Sequence, residues 1–109
     1  MHARSKVVDS PRREAMRIAG EKVHRDRVIE VRYPYTGEVI ATVPKATVED
    51  VRRALRIARQ YRPKLTRYER YRILMRAGEI IASRKDQIAR GITLEAGFSL
   101  KDSTYEVGR

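Results

Sequence analysis

The sequence predicts an α/β chain, α+β when its 109 residues are taken by themselves, with β-hairpins first and three to four helices after them. Three observations carry this. Apolar and polar residues alternate between Val28 and Tyr33 with the period of a strand, glycine and proline fall at turn positions around that stretch, and from Ala46 onward the apolar period lengthens to that of helices. The length accommodates at most one compact domain.

The elements follow in order. Residues 1–15 are polar and basic, carry Pro11 and show no hydrophobic period, so they are expected to form a disordered basic leader, with order beginning near Met16. Ile18 and Val23 flank Ala19-Gly20-Glu21, a tight reversal between two short extended pieces, because Gly20 can adopt the positive backbone angles such a turn needs. Ile29, Val31 and Tyr33 alternate with Glu30 and Arg32, the pattern of a strand with one wet face, and Val39 to Val43 make the returning strand. Between them Pro34-Tyr35-Thr36-Gly37-Glu38 is turn chemistry: Pro34 fixes its own φ and Gly37 supplies a left-handed residue. Pro44 ends the ladder.

Thr47-Val48-Glu49-Asp50 places a hydroxyl at a helix N-cap and acids in the first turn, where they meet free amides and the positive end of the dipole. This helix is expected to run to about Gln60, with Val48, Val51, Leu55 and Ala58 on one side and Arg52, Arg53, Arg56 and Arg59 elsewhere, within reach of Glu49 and Asp50. Pro63 marks the stop. Thr66-Arg67-Tyr68-Glu69 is a capping box, followed by the apolar stripe Ile73, Leu74, Ala77, Ile80 and Ile81. Ser83-Arg84-Lys85-Asp86 is read as the cap of a third helix carrying Ile88, Ile92 and Leu94 and ended by Gly97. Ser99-Leu100-Lys101-Asp102 opens a fourth, still climbing at Arg109, so the chain reads as truncated in its last helix. Sheet edges and apolar faces are expected to be exposed unless further chain covers them.

Composition narrows the functional classes. Twenty-five Lys plus Arg against fourteen Asp plus Glu give a net charge of +11, which by itself suggests a polyanionic partner. Nineteen of the cations are arginine, however, and they are spread along the chain instead of gathered in one block, so nucleic-acid binding is disfavoured. The best surface for it is Tyr61-Arg62 together with Arg67-Tyr68-Glu69-Arg70-Tyr71-Arg72, which interleaves aromatic and basic residues; the competing view places the tyrosines across the start of an amphipathic helix whose arginines are solvated. No apolar run approaches the ~20 residues of a membrane span, and the first residues lack the apolar stretch of a secretory signal, so a cytoplasmic location without membrane attachment is expected. The absence of cysteine excludes disulfides, cysteine-ligated metal sites and a cysteine nucleophile within these residues. His2 and His24 are the only histidines, and no metal site is expected. Gly20, Gly37, Gly78, Gly91, Gly97 and Gly108 form neither a dinucleotide fingerprint nor a phosphate loop, so no cofactor-binding residue is assigned. Asp50, Glu69 and Asp86 sit at helix starts, and Glu49 and Glu79 have arginines one turn away; capping and pairing account for them.

The order of elements and particular residues together resemble the N-terminal part of the aldehyde dehydrogenase family. Tyr33-Pro34-Tyr35-Thr36-Gly37-Glu38-Val39-Ile40 is similar to that family's asparagine-proline-x-threonine-glycine-glutamate hairpin turn, with tyrosine in place of asparagine. Thr47-Val48-Glu49-Asp50-Val51-Arg52-Arg53-Ala54 resembles its first helix, and Arg70-Tyr71-Arg72-Ile73-Leu74 with Ala77, Ile80 and Ile81 its next. Leu94-Glu95-Ala96-Gly97 corresponds to its glutamate-x-glycine-lysine segment, with Phe98 replacing the lysine. The resemblance covers roughly 16–109, and those residues are expected to be the outer hairpins and helices of a Rossmann-like cofactor domain. Tyr33-Pro34-Tyr35 and the run from Gly97 to Arg109 look most like the branch that oxidises phosphonoacetaldehyde.

The resemblance implies a much longer subunit, assembled as a homo-oligomer, that uses NAD or NADP to oxidise a small anionic aldehyde to its carboxylate. In that family a cysteine thiolate attacks the aldehyde, an asparagine and a backbone amide stabilise the oxyanion, and a glutamate activates the hydrolytic water. None of those catalytic groups is among these residues, so the 109-residue chain alone is expected to be inactive and to bind no cofactor. The helix entered at Ser99 passes the substrate entrance in the family. A phosphonate dianion needs forked, permanently charged donors, which makes Arg109 the candidate substrate-binding residue and Tyr105, one turn earlier, its companion. Pairing of Arg109 with Glu106 or Asp102 is the competing role.

Overall fold

A computed structural model describes residues 6–109, which divide into two compact units, one ending at Tyr61 and the other running Arg62–Arg109. The first holds β1 (Arg12–Arg13), β2 (Met16–Ile18), β3 (Glu21–Val23), β4 (Val28–Arg32), β5 (Val39–Pro44) and α1 (Val48–Gln60). β2 and β3 pair antiparallel, Met16 opposite Val23 and Ile18 opposite Glu21. Both residues of their turn have positive φ, Ala19 at 52° and Gly20 at 83°. A type I′ hairpin requires this of both positions, glycine adopting it freely and alanine against its own Cβ. β4 and β5 also pair antiparallel, with a register shift between Val31 and Arg32. Their turn closes through the Tyr33 amide donating to the Glu38 carbonyl at 2.9 Å and the Gly37 amide to the Tyr33 carbonyl at 2.7 Å. Gly37 lies at φ 75°.

Arg12–Arg13 depart from the expected leader. They form a parallel edge strand on β5, Arg12 opposite Ala41 and Arg13 opposite Thr42, and the Glu14 amide continues the pairing to the Thr42 carbonyl at 2.9 Å. A ladder is made of backbone groups, so so short a strand leaves no side-chain period to read. Residues 1–5 of that leader lie outside the described residues.

α1 is capped as its residues dictate: the Thr47 hydroxyl accepts from the Asp50 amide at 3.1 Å, and the Asp50 carboxylate accepts from the Thr47 amide at 2.9 Å. The expected apolar side is left uncovered, and a neighbouring stripe faces inward. Val48, Val51 and Leu55 are exposed, while Asp50 is buried and Arg53, Ala54 and Ile57 are half-buried. That inward stripe packs on β2, and its polar members are paired: Asp50 with Arg25, and Arg53 with Glu21 at 3.0 Å. Glu49 pairs with Arg56 at 3.5 Å, two turns on, not with an arginine one turn away.

The second unit holds α2 (Arg67–Ser83), α3 (Lys85–Ala96) and α4 (Leu100–Gly108). Thr66 and Glu69 complete the expected capping box, with the Thr66 amide donating to the Glu69 carboxylate at 2.7 Å. These bonds lower the Glu69 pKa, the Thr66 backbone amide first and its hydroxyl second. Every residue of α2 is exposed, including Ile73, Leu74, Ile80 and Ile81. The Ser83 cap is corrected. Arg84 closes α2 and opens α3 without a side-chain cap bond, while the Ser83 hydroxyl stays in α2's last turn and donates to the Ile80 carbonyl at 2.8 Å. Gly97, at φ 75°, ends α3 and lets α4 return along it. Ala89 and Ser103 are fully buried at that contact, and the Ser103 and Thr93 hydroxyls bond at 2.8 Å. Small side chains bring the two helices close enough for the bond to form.

Candidate functional site

α4 begins at Ser99, whose hydroxyl accepts from the Asp102 amide at 3.2 Å and donates to the Asp102 carboxylate at 2.7 Å. From there Lys101, Thr104, Tyr105, Gly108 and Arg109 recur three and four residues apart, so they share one face. The α3–α4 hairpin adds Lys85 from the first turn of α3. These six residues line an open cleft of about 470 Å³. Lys85 lies close to Gly108: a β-carbon built on that glycine would be in ordinary contact with the Lys85 Nζ at 3.6 Å. Tyr105 projects into solvent, and the Arg109 guanidinium donates to the Glu106 carboxylate at 2.8 Å.

Arg109 and Tyr105 therefore line one cleft, and the ion pair of Arg109 is with Glu106, while Asp102 is held by Ser99. Lys85 and Lys101 were not singled out by the sequence. The spacing of Lys101, Tyr105 and Arg109, four residues apart each time, is a signal that could have found Lys101; Lys85 arrives only through the folded hairpin. Three cations, a hydroxyl and a phenol form a set of donors for an oxyanion. The cleft holds neither a cysteine nor a histidine, so it can bind and orient but supplies no thiolate–imidazole chemistry.

The strongly perturbed carboxyl, Asp50, lies outside the cleft and is structural. The Arg25 guanidinium lowers the Asp50 pKa to about 2, with the Thr47 amide adding to the effect, and Arg25 itself is held more firmly protonated. The Tyr68 and Tyr71 rings of the aromatic and basic segment lie 6.2 Å apart and are stacked on one another. Among the described residues no group of three or more His, Cys, Asp or Glu could hold a metal, and no helix is long and apolar enough to cross a membrane. Gly20 and Gly37 turn hairpins, Gly97 ends a helix, and none opens a helix after a strand.

Comparison with known proteins adds the family context. A family model described as the aldehyde dehydrogenase family matches residues 21–109. A lactaldehyde dehydrogenase of Methanococcus aeolicus is 32% identical over 97 residues, 86% of this chain and 21% of that protein. A 3-sulfolactaldehyde dehydrogenase of Priestia megaterium is 34% identical over 82 residues, 74% of this chain and 17% of that protein. Among solved structures, an aldehyde dehydrogenase of Physcomitrella patens in complex with its reaction product succinate superposes with a TM-score of 0.86 at 30% identity, over 91% of this chain and 21% of that one. An NAD-dependent aldehyde dehydrogenase of Sinorhizobium meliloti gives 0.81 at 28% identity, with the same coverage. The chain thus spans about a fifth of the length of these relatives.

Proposed function

The chain belongs to the aldehyde dehydrogenase family, and from that premise we propose that it is the N-terminal part of an NAD- or NADP-dependent enzyme that oxidises an anionic aldehyde, phosphonoacetaldehyde, to phosphonoacetate. On this reading residues 16–109 are the outer hairpins and helices of the cofactor domain. The nucleophile, the base and the dinucleotide site lie in chain beyond these residues, and the assembled enzyme is a cytoplasmic homo-oligomer.

The observation that carries the proposal is the cationic cleft, where Arg109 and Tyr105 meet Lys85 and Lys101. The Arg109 guanidinium is a fixed fork of donors suited to two oxygens of one headgroup, and the Tyr105 hydroxyl adds a third donor. Relatives point the same way. A sulfonate is part of 3-sulfolactaldehyde, and the succinate bound to the Physcomitrella patens enzyme has a second carboxylate.

The test is turnover by the complete gene product, read as reduced cofactor with phosphonoacetaldehyde, 3-sulfolactaldehyde, succinic semialdehyde and uncharged propionaldehyde. The phosphonate substrate is expected to be preferred. Arg109→Ala is expected to raise its KM about 10- to 100-fold, the loss of a charge-assisted bond, with little change for propionaldehyde. Tyr105→Phe should cost a few-fold. An unchanged KM in Arg109→Ala overturns the site assignment, and preference for any of the other three aldehydes overturns the substrate.

A further inference from the structure

Resting on that reading of the cleft, we infer that Glu106 is a positioning residue: its carboxylate holds the Arg109 guanidinium by one hydrogen bond and leaves the other donors of the fork to the substrate headgroup. Two acids of α4 lie on the same helix as Arg109. Asp102 is about 10 Å back along the axis and accepts from the Ser99 hydroxyl at 2.7 Å. Glu106 is one turn from Arg109 and accepts from its Nη2 at 2.8 Å. The two side chains differ in footing. Glu106 follows the fully buried Ser103 by three residues, which places it on the side of α4 that packs on α3, and it is half-buried there. Arg109 is mostly exposed, with several rotatable bonds to order before its fork can meet a ligand. A carboxylate standing at the edge of the packed face restricts that freedom before the substrate arrives. The guanidinium has five N–H donors, so four remain after the bond to Glu106, and pairing and headgroup binding are compatible. Two competing roles exist for Glu106. An exposed pair one turn apart contributes little to anything but the helix, and a carboxylate beside Arg109 repels an anionic substrate.

The three roles predict different signs for one measurement, the KM of the complete gene product for phosphonoacetaldehyde, with uncharged propionaldehyde as the reference. Glu106→Ala is expected to raise KM for phosphonoacetaldehyde about fivefold with kcat unchanged, and to shift KM for propionaldehyde by less than about twofold. Glu106→Gln keeps an oxygen that accepts from the guanidinium and should remain within about twofold of the wild type. Combined with Arg109→Ala, Glu106→Ala should raise KM no further, because no guanidinium is left to hold. An unchanged KM in Glu106→Ala marks a pair of no consequence, a lowered one marks a carboxylate that only repels the anion, and either overturns the inference. It is equally overturned by an equal rise for both aldehydes with a lowered Tm, by the same rise in the Arg109→Ala background, or by a glutamine variant as impaired as the alanine one. Arg109→Ala by itself separates the two levels of argument. If it raises KM while Glu106→Ala does not, the cleft stands as the substrate site and the role of Glu106 falls; if Arg109→Ala changes nothing, the site itself falls.

Discussion

Asp50 lies on the inward side of α1, buried and paired with Arg25. Its place as a cap is legible in Thr47-Val48-Glu49-Asp50, because capping is local. Its partner is not, since Arg25 lies in another part of the chain and only the fold brings them together. The ion pair predicts a definite pH dependence. A carboxyl that titrates near 3.9 when unfolded and at about 2 when folded contributes stability that is fully present above about pH 4 and is lost as pH falls through about 2. Asp50→Asn is therefore expected to lower the Tm of the protein by a constant amount from pH 7 to about 4, with the gap closing towards pH 2, as followed by circular dichroism. A gap that survives at pH 2 would show that the carboxylate's charge is not what matters. Ala19 is the converse case. The positive φ of Gly20 is foreseeable from its identity, while that of Ala19 follows only once the turn proves to be two residues long. Ala19→Asn should stabilise the hairpin by about 0.5 kcal/mol, since asparagine tolerates this region better. Urea denaturation would register it.

At the scale of elements, the hairpins and helices were legible where a periodic pattern met local punctuation. β4 and β5 are bracketed by Pro34, Gly37 and Pro44, and α2 starts where Thr66 and Glu69 say it should. Two elements escaped for different physical reasons. β1 is two backbone pairings on an open edge and has no pattern to carry. The α2–α3 junction misled because Ser83 resembles a cap, yet Arg84 sits at φ −111° and ψ 18°, outside the extended region that an N-cap residue usually occupies. The two threonine and serine sites should therefore respond differently. Thr66→Ala is expected to cost about 1 kcal/mol, because it leaves the Glu69 amide in the first turn of α2 without its acceptor. Ser83→Ala should change stability by less than about 0.5 kcal/mol, since its exposed hydroxyl bonds a carbonyl within its own helix. Equal losses at both positions would mean that Ser83 does cap α3 in solution.

Across the whole molecule, apolar surface is left uncovered on a scale that separates this chain from a self-sufficient domain. Four hydrophobic residues are buried among those described, Ile18, Ile40, Ala41 and Ala89, against eighteen large ones that are exposed. The α2 stripe was legible as an apolar face, but a periodic pattern says only that a face wants cover, not what supplies it. An open groove of about 680 Å³ runs along it, lined by Leu65, Ile73, Ala77 and Ile80 together with the charged Glu69, Arg72 and Arg76. If the chain is one part of a longer dehydrogenase, a single substitution on that helix should have opposite consequences in the two contexts. Leu74 is 72% exposed here. In the 109-residue chain Leu74→Asp removes apolar surface from water and breaks no buried contact, so it should reduce self-association in sedimentation and weaken binding of a hydrophobic dye, with little change in Tm. In the complete gene product the same aspartate would be forced into an apolar contact without a partner, and soluble yield should collapse or the Tm fall sharply, as expected for a buried unpaired charge. Tolerance of Leu74→Asp in the complete protein would mean that this face of α2 meets water there as well, and the apolar stripe would then have to be explained by something other than the remainder of the subunit.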